Sequence, residues 1–314
     1  MTTVVDIRSL SFSYPPARKK SAPRVALDAL SIQVHSGELF CLLGPNGSGK
    51  STLFRLLSTL LEPPASAVSV FGHDLRSEPA AVRSAIGIVF QNPSLDKKLT
   101  VRENLLVFGR FFGMDRTKIA TRADELLELF QLTDRAKDQV EPLSGGMKRR
   151  LSIARALIAS PTILMLDEPT TGLDPQARHL LWDALQRLKR AGTTIVLTTH
   201  YMDEAEQLCD RLVVMDQAKI VAVGSPRQLI TEHASREVLE LRFPGGTDSL
   251  PNNALESIGD RYERLAERVI VGCENGEAAH ARALDNGLDP ESWLVRRSSL
   301  EDVFLRLTGR SLDE

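Results

Sequence analysis

The segment Gly44-Pro45-Asn46-Gly47-Ser48-Gly49-Lys50-Ser51 follows the apolar run Leu39–Leu43 and has the order GxxxxGK[ST]. That order is the chemistry of a phosphate cradle. Glycines let a loop wrap tightly enough for successive backbone N–H groups to point inward at phosphate oxygens. A helix starting at Lys50 offers its positive end to the same anion. Lys50 is placed to reach β- and γ-phosphates, and the Ser51 hydroxyl to ligate Mg²⁺. A second element is Ile163-Leu164-Met165-Leu166-Asp167-Glu168, four apolar residues ending in two acids. Alone, such a pair would read as capping or solvated. Beside a phosphate loop, Asp167 reads as a metal carboxylate and Glu168 as the general base that polarises an attacking water. A third is Ser144-Gly145-Gly146, where two glycines at a helix start let N–H groups approach an anion. Lys148, Arg149 and Arg150 occupy the first turn of that helix, where cations are unfavourable. A solvated basic face and a helix end facing bound phosphate both fit them.

These residues need elements to hold them. Leu39–Leu43, Ile86–Phe90, Ile163–Leu166 and Thr194–Thr198 read as short buried strands of a parallel sheet. Amphipathic helices alternate with them: Ala123, Leu126, Leu127 and Phe130 form one stripe, Met147, Leu151, Ala154 and Ile158 another, and Leu181, Ala184, Leu185 and Leu188 a third. The alternation predicts an α/β sheet covered on both faces. Val4–Arg8 and Leu30–His35 read as strands flanking a polar loop over Pro15–Pro23, and Arg211–Asp216 with Lys219–Val223 as a hairpin turning at Gln217-Ala218. After Gly224-Ser225-Pro226 a smaller α/β unit is expected: strands Val238–Phe243, Arg268–Cys273 and Trp293–Arg297, helices Glu277–Asn286 and Leu300–Thr308. The expected domains are residues 1–229 and 230–314.

The 314 residues carry 39 Lys and Arg against 41 Asp and Glu, a balance that supplies no basic field for a nucleic-acid backbone. Cys41, Cys209 and Cys273 are far apart and form no CxxC, which argues against a disulfide scaffold or structural zinc and fits a reducing compartment. No apolar run approaches the ~20 residues of a membrane helix, and the start shows no signal-peptide pattern. The expectation is a cytoplasmic chain, without direct membrane insertion, that meets a membrane through a partner.

With Leu143-Ser144-Gly145-Gly146-Met147 between the phosphate loop and the acidic strand end, the chain resembles the nucleotide-binding subunit of ATP-binding-cassette (ABC) transporters. The resemblance implies a P-loop NTPase cassette, with a RecA-like core, an antiparallel β subdomain and a helical signature subdomain, followed here by the small C-terminal α/β domain. It implies ATP and Mg²⁺ as ligands of Gly44–Thr52, with Thr52 closing the loop and Tyr14, in Ser11-Phe12-Ser13-Tyr14, stacking on adenine. It implies that Gln91 senses Mg²⁺ and water and links to the membrane domain, that His200 contacts the γ-phosphate, and that Asp174, in Gly172-Leu173-Asp174, runs along a dimer interface. Ser144, Gly145 and Gly146 would act on the ATP of a partner cassette in a head-to-tail homodimer or heterodimer, joined to a separate integral-membrane permease at the cytoplasmic face.

LSGGMKRRL over 143–151, the segment Val101–Leu105 with Phe108–Met114, and Ser299–Arg310 resemble ABC-2-type exporters, including drug-resistance and nodulation-factor export ATPases. Export of a drug, lipid, glycolipid or polysaccharide is the implied function. Met147 stands where glutamine is usual and falls on an apolar stripe, so it reads as helix packing. Pro64-Ala65-Ser66-Ala67-Val68 replaces a turn that usually contains glycine. The alternative is a cassette ATPase of translation or DNA repair. Such proteins carry two cassettes, a long coiled coil or zinc inserts, none of which this sequence has. A GTPase is excluded by the lack of an NKxD tetrapeptide.

Overall fold

The computed structural model describes residues 2–16, 23–92 and 94–309. Most of the expected 15–23 loop, and Arg310, lie outside them. The chain divides into two compact units at Val223/Gly224.

The first unit runs β1 (Thr3–Tyr14), β2 (Arg24–His35), β3 (Leu39–Leu43), α1 (Lys50–Leu57), β4 (Val68–Val70), β5 (His73–Asp74), α2 (Pro79–Ala85), β6 (Ile86–Val89), α3 (Val101–Phe111) and α4 (Arg116–Leu129). It continues through α5 (Gly145–Ala156), β7 (Ile163–Asp167), α6 (Pro175–Arg190), β8 (Thr194–Thr199), α7 (Met202–Leu208), β9 (Arg211–Asp216) and β10 (Lys219–Gly224). Two sheets form, in the orders β2-β1-β4-β5 and β10-β9-β3-β8-β7-β6. In the larger sheet β3 lies parallel between β8 and β9, and β7 parallel between β8 and β6. All five residues of β3 are buried, as a central parallel strand covered on both faces requires. Phe40 and Leu42 of β3 meet Leu53 and Phe54 of α1, and this core fixes the loop between the two elements.

The β9–β10 turn places Gln217 at φ 45° and Ala218 at φ 67°, a type I′ hairpin built without glycine. Its Ala218 N–H donates to Ser48 O at 3.2 Å, and its Ala218 carbonyl accepts from Asp28 N at 2.9 Å. The turn thus fastens the phosphate loop to the smaller sheet. β1 and β2 are each 12 residues long, well beyond the two short strands expected. Register shifts, with Ser9 and Ala29 at positive φ, break the alternation that sequence reading depends on. In the glycine-poor 64–68 turn, Ser66 takes the left-handed conformation at φ 59°, tied by its N–H to Asp74 Oδ2 at 3.0 Å. α3 begins with a Thr100/Glu103 capping box and ends beside Phe111 and Phe112, 79% and 48% exposed.

The second unit holds α8 (Pro226–His233), β11 (Glu237–Arg242), α9 (Asn252–Glu256), β12 (Arg261–Arg264), β13 (Arg268–Cys273), α10 (Gly276–Asp285), β14 (Ser292–Arg297) and α11 (Leu300–Thr308). Its sheet is antiparallel, in the order β12-β13-β11-β14, over a core that includes Leu239, Leu241, Val269, Val271 and Ala279. α9 and β12 are too short to announce themselves in sequence. α8 packs on α11, so the division falls before α8 rather than at residue 229/230. Among the described residues no helix is long and apolar enough to cross a membrane.

Candidate active site

The phosphate loop is shaped by contacts that leave no room for side chains. A Cβ on Gly44 would stand 2.2 Å from Met215 O, and one on Gly49, at φ 109°, 2.5 Å from Ala26 O. Lys50 is buried, and its Nζ donates to the carbonyls of Gly44 and Pro45, so the loop curls around its own cation. Burial lowers the Lys50 pKa, opposed by the Glu168 and Asp167 carboxylates. The buried Ser48 hydroxyl has no hydrogen-bond partner among the described residues. The Lys50 ammonium and the orphaned Ser48 hydroxyl, at the start of α1, form a donor set that fits a polyphosphate. Beside it, Tyr14, Arg24, Asn46, Gly47, Lys50 and Thr52 help to line a cavity of about 500 Å³. The Tyr14 hydroxyl lies 3.3 Å from Thr52 Oγ1, and the Tyr14 ring packs edge-on against Phe12.

The acids stand at the end of β7. The Thr198 hydroxyl on neighbouring β8 donates to Asp167 Oδ1 at 2.7 Å and accepts from Glu168 N at 3.0 Å, so one side chain fixes both positions. Glu168 takes φ 45°, a left-handed conformation that costs about 1–3 kcal/mol and turns its side chain out of the strand's alternation. Its carboxylate gathers the other predicted residues. Oε2 accepts from Gln91 Nε2 at 3.1 Å and from Thr171 Oγ1 at 3.2 Å. Oε1 comes within 3.3 Å of His200 Nδ1, but off the angle for a hydrogen bond, so that buried nitrogen has no hydrogen-bond partner among the described residues. The His200 ring leans on Tyr201, centroids 4.1 Å apart. A carboxylate so placed can orient and deprotonate a water. Among the described residues no three His, Cys, Asp or Glu converge into a metal cage. The donors at hand, Ser51 and Asp167, suit Mg²⁺ completed by phosphate and water oxygens.

Ser144, Gly145, Gly146 and Asp174 form a separate group at two helix starts. The Ser144 side chain caps α5 by accepting from Met147 N at 3.2 Å, and Asp174 caps α6 by accepting from Ala177 N at 2.9 Å. A Cβ on Gly146 would come 2.9 Å from Ala177 Cβ, whereas one on Gly145 would meet nothing within 4 Å. Gly146→Ala is therefore expected to cost about 1–3 kcal/mol, while Gly145→Ala leaves thermal unfolding unchanged or raises it. Calorimetry on the two variants checks the contrast.

Within the basic run on α5, Arg149 fits neither sequence reading, while Lys148 and Arg150 stay partly exposed. Lys148 Nζ donates to Glu141 O at 2.9 Å and Arg150 Nη1 to Phe130 O at 2.6 Å. Arg149, 4% exposed, spends its guanidinium on the carbonyls of Pro169, Asp167, Phe90 and Gln91. Burial brings the Arg149 pKa down to about 10, against the pull of Asp167, Glu204 and Glu168. Each of these cations donates to a backbone carbonyl. Sequence reading missed this, along with Thr171 and Thr198. The hydroxyl of Thr198 in an otherwise apolar strand was the available signal.

The family model described as ABC transporter matches residues 27–171. The Nod factor export ATP-binding protein I of Rhizobium sp. (strain N33) is 46% identical over 297 residues, 95% of this chain and 96% of that protein. That of Burkholderia pseudomallei (strain K96243) is 43% identical over 299 residues, 95% and 97% of the two chains. The chain belongs to the ABC transporter family. It is an ATP-binding, ATP-hydrolysing subunit of such a transporter, and the translation or repair alternative is not favoured. Among solved ABC cassettes, cbiO1 from Clostridium perfringens, described as part of the transporter complex cbiONQ, matches with a TM-score of 0.67 at 28% identity, covering 74% of this chain and 92% of that one. The cassette MJ0796, in a dimeric post-hydrolysis state with ADP and phosphate, matches with a TM-score of 0.63 at 27% identity, covering 70% and 98%.

Proposed function

We propose that this ABC subunit powers an ABC-2-type exporter as one half of a head-to-tail pair of cassettes, homodimeric or heterodimeric, bound to a separate permease at the cytoplasmic face of the membrane. The observation that carries the hydrolytic part is the convergence of Gln91, Thr171 and His200 on the Glu168 carboxylate. In this reading the loop Gly44–Thr52 binds the ATP phosphates, Tyr14 packs on adenine, and Lys50 neutralises the β- and γ-phosphates. Ser51 and Asp167 hold Mg²⁺ with Gln91 nearby. Glu168 takes the proton of the attacking water, and the His200 imidazole meets the γ-phosphate as charge builds on it. Mg²⁺, held by Ser51 and Asp167, would supply charge neutralisation to the phosphates. Ser144, Gly145 and Gly146, with Asp174 alongside, close over the partner's ATP. Residues from Gly224 on contribute none of these groups and form an accessory, regulatory or dimer-supporting domain.

His200→Ala tests the site. ATP affinity is expected to stay within about threefold while turnover falls roughly 10²–10³-fold, the usual loss for one donor to developing charge. Unchanged turnover would remove His200 from the reaction.

The substrate class is drug, lipid, glycolipid or polysaccharide, and the Nod factor in the relatives' names is the first candidate. The exposed Phe111 and Phe112 at the end of α3 are the proposed permease contact. Co-expression with the neighbouring multi-span membrane protein should give a complex whose ATPase rises with the exported compound. Phe111→Asp with Phe112→Asp should release the permease without lowering basal hydrolysis. A complex that survives the double substitution would place the contact elsewhere.

A further inference from the structure

Arg149 stands one turn inside α5, the helix whose first residues are assigned above to the partner's ATP. Its side chain points the other way. The Nε donates to Pro169 O at 3.0 Å, Nη2 to Asp167 O, and Nη1 to Phe90 O and, at 3.3 Å, to Gln91 O. Asp167 and Pro169 bracket Glu168, the residue held at φ 45°, and Phe90 and Gln91 directly follow β6, with the Gln91 side chain bonded to the Glu168 carboxylate. One planar guanidinium thus bridges the two backbone segments that carry the acids and the glutamine. Only a rigid fork with several donors can do this. A lysine in its place brings a single nitrogen, which reaches fewer of the carbonyls at once. A guanidinium buried to this degree and given to carbonyls is committed to holding backbone in place.

We propose that Arg149 is a positioning residue of the ATPase reaction that serves the hydrolytic turn of its own chain, although the helix it rides on serves the ATP of the partner. The inference rests on the dimer reading above. It makes the first two turns of α5 a link between two sites: movement at Ser144, on meeting one ATP, is delivered by Arg149 to the turn that hydrolyses the other. The chemistry requires no new ligand, only that the carbonyls of Asp167 and Pro169 keep their distance from Gln91.

The test uses full-length chains with two different affinity tags, assembled with the membrane subunit, so that dimers of one wild-type and one variant protomer can be isolated. Vanadate with Mg²⁺ and an 8-azido-adenine nucleotide traps and photolabels the chain whose phosphate loop has just hydrolysed. With Arg149→Met in one chain, the trapped label on that chain is expected to fall at least tenfold relative to its wild-type partner. With Arg149→Lys it should fall at least threefold. Equal labelling, loss from the wild-type chain, or loss from both chains would overturn the proposal. Labelling on ice without vanadate shows whether each variant still folds and binds nucleotide. If Arg149→Met fails there, Arg149→Lys decides by the same ratio, and if that variant fails too, Arg149 is a folding residue and the proposal falls. Ser144→Arg in one chain checks the dimer reading separately. It should deplete label on the wild-type chain facing it, and depletion on the substituted chain itself would overturn the head-to-tail arrangement whatever Arg149 does.

Discussion

Glu168→Gln lowers ATP turnover by roughly 10²–10⁴-fold, the range for loss of a general base, while ATP binding persists. The amide keeps the size of the side chain and an oxygen able to accept from Gln91 and Thr171, which donate to Glu168 Oε2 at 3.1 and 3.2 Å. What it loses is the ability to take a proton and the negative charge beside Lys50 and His200. Binding should tighten slightly, because one repulsive charge near the γ-phosphate is gone. The loaded variant is therefore expected to accumulate as a dimer with two trapped ATP molecules. Phosphate release measures the first effect and light scattering during size exclusion the second. Retained turnover would take Glu168 out of the chemistry. A variant that stayed monomeric with ATP at high concentration, both alone and with its membrane partner, would sink the cassette-pairing mechanism.

Gly44→Ala produces the second large effect, on fold and function together. The added methyl would stand 2.2 Å from Met215 O in β9 and 2.9 Å from Ser48 Oγ inside the loop. Met215 O belongs to a strand paired with β3, so the loop must give way rather than the sheet. Overpacking of this kind costs about 3 kcal/mol. If the loop absorbs it, ATP affinity drops on the order of 100-fold, since each 1.4 kcal/mol is tenfold. Gly37→Ala is the control. Gly37, unlike Gly44, has positive φ, 76°, and nothing lies within 4 Å of the added methyl, so the cost is the left-handed backbone alone, about 1–2 kcal/mol. Urea unfolding should rank both variants below the parent, whereas an ATP titration should separate them, with Gly37→Ala binding normally. Equal ATP affinity in the two would mean that the close approach to β9 does not shape the cradle.

Much of this was legible in the residues because the chemistry constrains their spacing. A phosphate loop needs its strand before and its helix after, so Leu39–Leu43 and the Lys50 helix could be placed from the motif, and β3 and α1 fall there. The buried strands β6, β7 and β8 announced themselves as short, mainly apolar runs. Less visible were features that depend on distant backbone. The carbonyls that hold Arg149 come from two segments well removed from it, and carbonyls carry no sequence signal, so three adjacent cations looked like a surface or an anion site. The length of β1 and β2 was hidden by bulges at Ser9 and Ala29. The division before α8 was blurred because Ser225 and Pro226 are as good a helix start as a linker, and the Ser225–Gln228 capping box shows which they are. Thr171 and Thr198, each hydrogen-bonded to an assigned carboxylate, show that an orienting hydroxyl is easily read as filler.

The sheet order carries a consequence for how the chain is made. β3 lies between β8 and β9, and the Ser48 carbonyl is met by Ala218 beyond β9. A ribosome working at roughly 5–20 residues per second takes on the order of 8–30 s to pass from Leu43 to Thr194, where β8 begins. Through that interval β3, a run of five apolar residues, has neither of its lateral neighbours and waits unpaired. A nascent chain that stops short of Ala218 therefore carries the whole phosphate-loop sequence without the neighbour that fixes its conformation.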